Sequence, residues 1–173
     1  LVNNLWYRNL VLKSRQRGFS TLLQIMQLDH AIFRSNVNGV VISDTLPNAG
    51  KLFGKIEHAL EKMPEAVKLA YPLKSKAART AIEFEHGSVV GVSTSSRGGT
   101  VQFLHVSELG KIARKYPERA KEIVTGAFES VPVDGCIVVE STAEGMAGEF
   151  WDLCDPAIKR MEAGEPETSL DWR

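Results

Sequence analysis

The chain has no excess of charge of either sign: Lys and Arg number 21, and so do Asp and Glu. That balance excludes a chain-wide polyelectrolyte grip on nucleic acid and leaves only local basic patches for the purpose. Cysteine is scarce. Cys136 and Cys154 show no metal-ligand spacing and are too few for a disulfide framework, so a reduced, intracellular protein is expected. No run of 18 apolar residues exists, so the sequence offers no membrane-spanning helix, and no signal peptide is expected. Internal repeats and low-complexity tracts are missing as well. What remains is 173 residues, the size of one α/β domain with a sizeable core. The chain starts at Leu1 and ends at Asp171-Trp172-Arg173, and is expected to be a fragment of something longer.

Apolar runs alternate with helical patterns. Leu10–Leu12, Gly39–Ser43, Val101–Val106 and Cys136–Val139 read as buried strands. Helices are expected over 20–33, with Leu22, Ile25, Met26 and Ile32 near one face, over 47–63, with Leu52, Ile56 and Leu60 spaced in fours, over 117–130 and over 148–163. Residues 81–85 and 89–93, joined at His86-Gly87-Ser88, look like a hairpin. The segment between Pro64 and Pro72 reads as mixed and less regular, Lys74-Ser75-Lys76-Ala77-Ala78-Arg79 as short and basic, and Thr94–Thr100 as a polar loop. This alternation implies a mostly parallel sheet covered by helices on both faces. Ligands in such sheets bind beyond the carboxyl ends of the strands.

Three motifs fall there. The first, Lys13-Ser14-Arg15-Gln16-Arg17-Gly18-Phe19-Ser20-Thr21, joins the first strand to the first helix. Strand, glycine-containing loop, then helix opening at Ser-Thr is the layout of a phosphate-binding P-loop, or Walker A element. Against the pattern G-x-x-x-x-G-K-[ST], Phe19 stands where the lysine belongs and Lys13 where the first glycine belongs. Backbone N–H groups at a helix start, a hydroxyl at the metal position and an ammonium within reach are all still supplied.

The second motif, Ser107-Glu108, ends the Val101–Val106 strand and resembles a Walker B element. Ser107 takes the place of the aspartate that faces the metal, and it can still hydrogen-bond a metal-bound water. An aspartate there is expected to be tolerated. Glu108 keeps the position of a general base; the bland alternative is a solvent-facing glutamate at a strand end. The third motif, Ser141-Thr142 in Glu140-Ser141-Thr142-Ala143-Glu144-Gly145, suits a hydroxyl sensor of the γ-phosphate, with a helix N-cap as the alternative.

Taken in order, these elements resemble one family, the large terminase subunit of tailed phages and prophages, over nearly the whole chain. The lysine-first loop KSRQRGFST, the Ser-Glu strand end in LHVSELGKIA and the Ser-Thr-Ala of ESTAEG carry the likeness. The resemblance implies a P-loop NTPase of the additional-catalytic-glutamate type, with ATP and Mg2+ as cofactors and DNA packaging as the task. It implies that Lys13 contacts the β- and γ-phosphates, within a binding loop running from Lys13 to Thr21. Arg15 matches an arginine acting in cis on the γ-phosphate, Ser20 ligates the metal, and Thr21 caps the helix. Glu108 is then the catalytic carboxylate, and Ser141 and Thr142 couple hydrolysis to movement. Arg97, in the polar loop, is a candidate finger toward a neighbouring subunit.

The resemblance further implies double-stranded DNA, a portal protein and a small terminase subunit as partners of the full-length protein, a homo-oligomeric ring when assembled, and the host cytoplasm as location. Residues 1–173 are expected to be a single ATPase domain, monomeric and weakly active alone, with a nuclease domain following after 173. Two other readings stay open. One is a helicase-like, DNA-stimulated P-loop ATPase. The other is an assembly domain that keeps the fold without turnover, favoured by Phe19 and Ser107.

Overall fold

Apolar runs without polar alternation become the middle of the sheet, because strands covered on both faces have no wet side. The computed structural model describes residues 7–77, 80–93, 99–165, 168 and 170–173. Seven strands form one sheet: β1 (Arg8–Leu12), β2 (Asn38–Ile42), β3 (Leu73–Ala77), β4 (Ala81–Phe84), β5 (Val89–Ser93), β6 (Phe103–Ser107) and β7 (Cys136–Ser141). Their spatial order is β1-β7-β6-β2-β5-β4-β3. The first five in that order run parallel, and β4 and β3 are antiparallel additions at one side. The expected α/β class with a mostly parallel sheet is the one observed. β6, Phe-Leu-His-Val-Ser, is buried throughout.

Helices cover both faces. α1 (Phe19–Ile32) and α2 (Leu46–Lys62) lie on one. Here Leu28, Ile32, Phe53, Ile56, Ile82, Phe84 and Val90 share a core, and Leu23, Phe103 and Val138 form a smaller cluster beside it. The other face holds α4 (Leu109–Lys115), α5 (Pro117–Glu122), its π-helical continuation Ile123–Ala127, and α6 (Glu149–Ala163). Leu104, Val106, Leu109, Ile112, Ile123, Ile137, Val139 and Phe150 pack there. Each such side chain, taken fully out of water, contributes roughly 1.5–3 kcal/mol. Among the described residues no helix is long and apolar enough to cross a membrane.

The structure corrects several sequence expectations. α1 buries Leu23, Gln24, Gln27, Leu28, Ala31 and Ile32, whereas Leu22, Ile25 and Met26 are exposed. Two glutamines displace apolar residues from the inner face because each finds a polar partner there: Gln24 on His105, and Gln27 on the Phe103 carbonyl. In α2, Phe53 rather than Leu52 is buried with Ile56 and Leu60. The segment expected to be irregular holds a short helix, α3 (Glu65–Ala70), and the short basic stretch contributes to edge strand β3. Its Lys74 and Lys76 pair with Glu83 and Glu57, and such charge keeps an edge from pairing with other chains. Helix α4 carries no separate start signal in the sequence. Pro117 begins a new helix rather than the first helix after β6, since Tyr116 ends α4.

Candidate functional site: a lysine between two glutamates

Side chains alternate along a strand, so Phe103, His105 and Ser107 share one face of β6, and Val138 and Glu140 the same face of β7. That is the α1 face. β6 and β7 are in register with Ser107 opposite Glu140, and β1 lies beside β7 with Leu12 opposite Ser141. The carboxyl ends of three neighbouring parallel strands therefore meet at one place.

β1 continues into the loop through Lys13, whose N–H donates to the Ser141 carbonyl at 3.0 Å. The loop then turns through two left-handed residues, Gln16 (φ 61°) and Gly18 (φ 74°). Gly18 occupies the cap position of α1, and its carbonyl accepts from Thr21 and Leu22 N–H. No side chain caps this helix, so the capping role expected of Thr21 falls to the Gly18 backbone. Lys13 folds back over the loop, and its Nζ donates to Ser20 Oγ at 3.1 Å. It also stands 3.3 Å from Glu140 Oε2 and 3.6 Å from Glu108 Oε1.

Glu108 is not a loosely solvated strand end. Its N–H donates to the Glu140 carbonyl, and its φ of 63° puts a non-glycine residue in the left-handed region. That conformation costs about 1–2 kcal/mol. The turn aims the carboxylate inward, where Oε2 accepts from both Thr142 N–H (3.2 Å) and Thr142 Oγ1 (3.0 Å). Ser141 lies behind it. Its hydroxyl accepts from Gly110 N–H at 3.1 Å and donates to the Thr142 carbonyl, locking β7 to the start of α4.

Glu140 is fully buried. Ser107 Oγ donates to its Oε1 at 3.0 Å, and His105 Nε2 lies 3.2 Å from the same oxygen. Gln24 Nε2 in turn sits 2.7 Å from His105 Nδ1. Burial pushes the Glu140 carboxyl up, but His105, Ser20 and Lys13 outweigh it and hold the group at about 2. It is an ionised carboxylate inside the fold.

Opposite these residues, the start of α2 supplies a mixed wall. Burial raises the Asp44 carboxyl, but hydrogen bonds from Lys111, Asn48 and Ser43 bring it below its ordinary value. Arg119 donates to the Ser43 and Asp44 carbonyls from below. Lys55 is pulled below its ordinary value by burial, and nearby Lys13 adds to this while Glu140 opposes it.

One cavity of about 450 Å³ joins these groups. Lys13, Arg15, Gln16, Ser20, Ser107, Glu108 and Thr142 line it together with Asp44, Lys51, Lys55 and Lys111. The five cations on its wall suit a polyphosphate. Ser14 and Arg17 bond each other on the exposed side of the loop. Phe19 packs against Leu23, Phe103 and Val138, Thr21 is exposed, and Gly18 shapes the backbone only. Arg97 lies outside the described residues. Sequence reading missed Glu140, Asp44 and Lys55. The signal for Glu140 was its place in the two-residue alternation of β7, on the same face as Val138.

Among the described residues no three His, Cys, Asp or Glu side chains form a metal nest. Magnesium does not require one, because it keeps several waters and takes one or two protein oxygens beside phosphate oxygens. Ser20, Ser107 and a buried carboxylate oxygen, Glu140 Oε2, that makes no hydrogen bond fit such a shell.

No protein-family profile matches the chain, and no characterised protein does so by sequence. The fold does have solved counterparts. It is similar to the large terminase ATPase domain of Thermus phage P74-26, with a TM-score of 0.64 and 17% identity over 87% of this chain and 65% of that one. The large terminase of a thermophilic bacteriophage superposes with a TM-score of 0.57 and 10% identity, covering 96% of this chain and 39% of that one. A further structure of that terminase, in complex with ADP, matches equally well. The chain thus has the fold of phage large terminase ATPase domains and spans less than two thirds of their length.

Proposed function

We propose that this chain is the ATP-hydrolysing core of a DNA-packaging motor of the large terminase kind. The observation that carries the reading is Lys13 Nζ, held between Ser20 Oγ, Glu108 and Glu140 where β1, β6 and β7 end. An ammonium, a hydroxyl and two carboxylates at the start of a loop-capped helix form a site for a nucleotide triphosphate and its metal. The fold it shares with terminase ATPase domains supports the same reading.

In this reading the loop from Lys13 to Thr21 wraps the phosphates with its N–H groups. Lys13 swings from the carboxylates to the β,γ-phosphates, and Arg15, at the cavity wall, meets the γ-phosphate in cis. Bound Mg2+ neutralises phosphate charge. Ser20 and Ser107 are the hydroxyls on its side of the cavity. Glu108 orients the attacking water and takes its proton, and Thr142, whose N–H and Oγ1 both donate to that carboxylate, reports the change to β7. Thr142 therefore carries the coupling role directly, with Ser141 anchoring it. The full-length partners are double-stranded DNA, a portal protein and a small terminase subunit, the assembled form is a ring, and residues 1–173 are one ATPase domain of that assembly. Arg97 as a finger toward a neighbour belongs to the same proposal.

Phosphate release from the full-length protein, with and without double-stranded DNA, tests this. Turnover stimulated by DNA and abolished by Glu108→Gln is expected. Nucleotide binding without turnover, in assembled rings on DNA, would leave the non-catalytic assembly reading standing instead.

A further inference from the structure

We infer that Glu140 supplies, from β7, the metal-side carboxylate that β6 lacks at Ser107, and that Ser107 is the positioning hydroxyl that aims it. The inference rests on the nucleotide reading above and names a residue of that same site. Its starting point is the register: Ser107 and Glu140 face each other across adjacent parallel strands, and both point to the α1 face. Neighbouring strands lie about 4.8 Å apart. A glutamate on β7, longer by one methylene than aspartate, reaches back over Ser107.

The carboxylate is oriented rather than merely buried. Oε1 accepts from Ser107 Oγ at 3.0 Å, and His105 Nε2 stands 3.2 Å from it. Oε2 makes no hydrogen bond and lies 3.3 Å from Nζ of Lys13, a residue that lines the cavity. The same ammonium lies 3.1 Å from Ser20 Oγ. Glu140 Oε2 and Ser20 Oγ therefore converge on one positive charge. When Lys13 moves onto phosphate, these two oxygens are left facing a gap that only another cation can neutralise. Glu108 is differently committed. Its Oε2 is spent on Thr142, and its side chain is partly exposed at the mouth, as a water-activating group requires. A serine at 107 also avoids setting two ionised carboxylates side by side without water.

The test uses Mn2+ in place of Mg2+, ADP as nucleotide, and free Mn2+ read by electron paramagnetic resonance on the intact chain. Glu140→Gln is expected to weaken ADP-dependent Mn2+ binding about 10–100-fold, while metal-free ADP binding is undiminished. Ser107→Asp combined with Glu140→Gln returns the carboxylate to β6 and is expected to recover most of the affinity. Unchanged Mn2+ affinity in Glu140→Gln overturns the inference. So does a weakened single variant that the double does not rescue, because Glu140 then acts only by holding Lys13. Should Glu140→Gln fail to fold, the unaltered chain with carboxyl-labelled glutamate decides: Mn2+·ADP broadens the Glu140 signal more than that of Glu108, and the reverse order overturns the assignment. ADP binding that Lys13→Ala leaves untouched would instead sink the nucleotide reading itself, whereas Lys13-dependent ADP binding with Glu140-independent Mn2+ binding sinks this inference alone.

Discussion

Lowering the pH is expected to weaken the fold through Glu140, and the size of the effect follows from its surroundings. The carboxyl titrates at about 2 in the fold against an ordinary value of 4.5. A depressed folded value means that folding favours the charged form. The stabilisation is therefore complete above the unfolded value and fades as pH falls through the folded one. The gap corresponds to on the order of 3 kcal/mol, of which somewhat more than half is lost by pH 3. Glu140→Gln keeps an acceptor for Ser107 Oγ but has no charge to lose. The perturbation is thus a pH series on two proteins, read by urea unfolding with circular dichroism. The unaltered chain should be the more stable at pH 7, and the two unfolding free energies should converge as pH falls from 5 toward 2. All other carboxylates are common to both proteins, so the difference isolates this one. Parallel curves over that range would show that Glu140 is not ionised by its neighbours, and the account of Lys13, Ser20 and His105 as its partners would fall with it.

Lys13→Ala is expected to cut ATP turnover by at least about 10²-fold and also to lower stability by about 1–3 kcal/mol, since Glu140 loses its cation; phosphate release and urea unfolding measure the two, and full turnover refutes the lysine-first loop. Glu108→Gln should lower hydrolysis by about 10²–10⁴-fold while fluorescent ATP analogues still bind. Gly110→Ala places a Cβ 2.8 Å from Ser141 Oγ, so Ser141 must shift and its bond from Gly110 N–H is lost; a cost of about 1–3 kcal/mol should appear as a lower Tm, and an unchanged Tm would mean that the β7–α4 junction yields freely. Ser107→Asp alone, expected from sequence to be tolerated, should instead destabilise by about 1–3 kcal/mol, because it adds a second carboxylate beside Glu140.

The strands, their alternation with helices and the hairpin of β4 and β5 were legible because each is announced locally, by an apolar run or by Gly87 at the turn. Lys13, Glu108 and Thr142 were legible because motif spacing places them just beyond strand ends, and Ser20 because it opens the helix after the loop. Other features depend on what lies across space. Gln24 and Gln27 read as a polar face until His105 and the Phe103 carbonyl appear opposite them. β3 is too charged to read as a strand, and it is one because it closes an edge. Glu140 looked like one more acidic residue before Ser141-Thr142. Its burial becomes tolerable only when α1, β1 and β6 bring Ser20, Lys13, His105 and Ser107 to it, and no local window of sequence contains those four.

Two departures from the usual loop-and-strand pattern then form a single rearrangement. Position 19, where the pattern wants lysine, points Phe19 at Leu23, Phe103 and Val138, into the apolar layer between α1 and the sheet. A lysine there would have to leave that layer before it met a phosphate. Position 13 instead continues β1, whose neighbour is β7, and this brings the ammonium beside Glu140. Lys13 follows β1 directly and reaches back to Glu140, whose ladder partner on β1 is Val11, while Ser107 stands directly opposite Glu140 across the next ladder. Relocating the lysine alone should therefore fail. Lys13→Ala combined with Phe19→Lys recreates the usual motif on paper, yet its ATP turnover should stay near that of Lys13→Ala, and its stability should fall further by about 1–3 kcal/mol as the apolar cluster opens. Restored turnover in that double variant would mean that the loop accepts lysine from either end, and that the pairing of Lys13 with Glu140 is incidental.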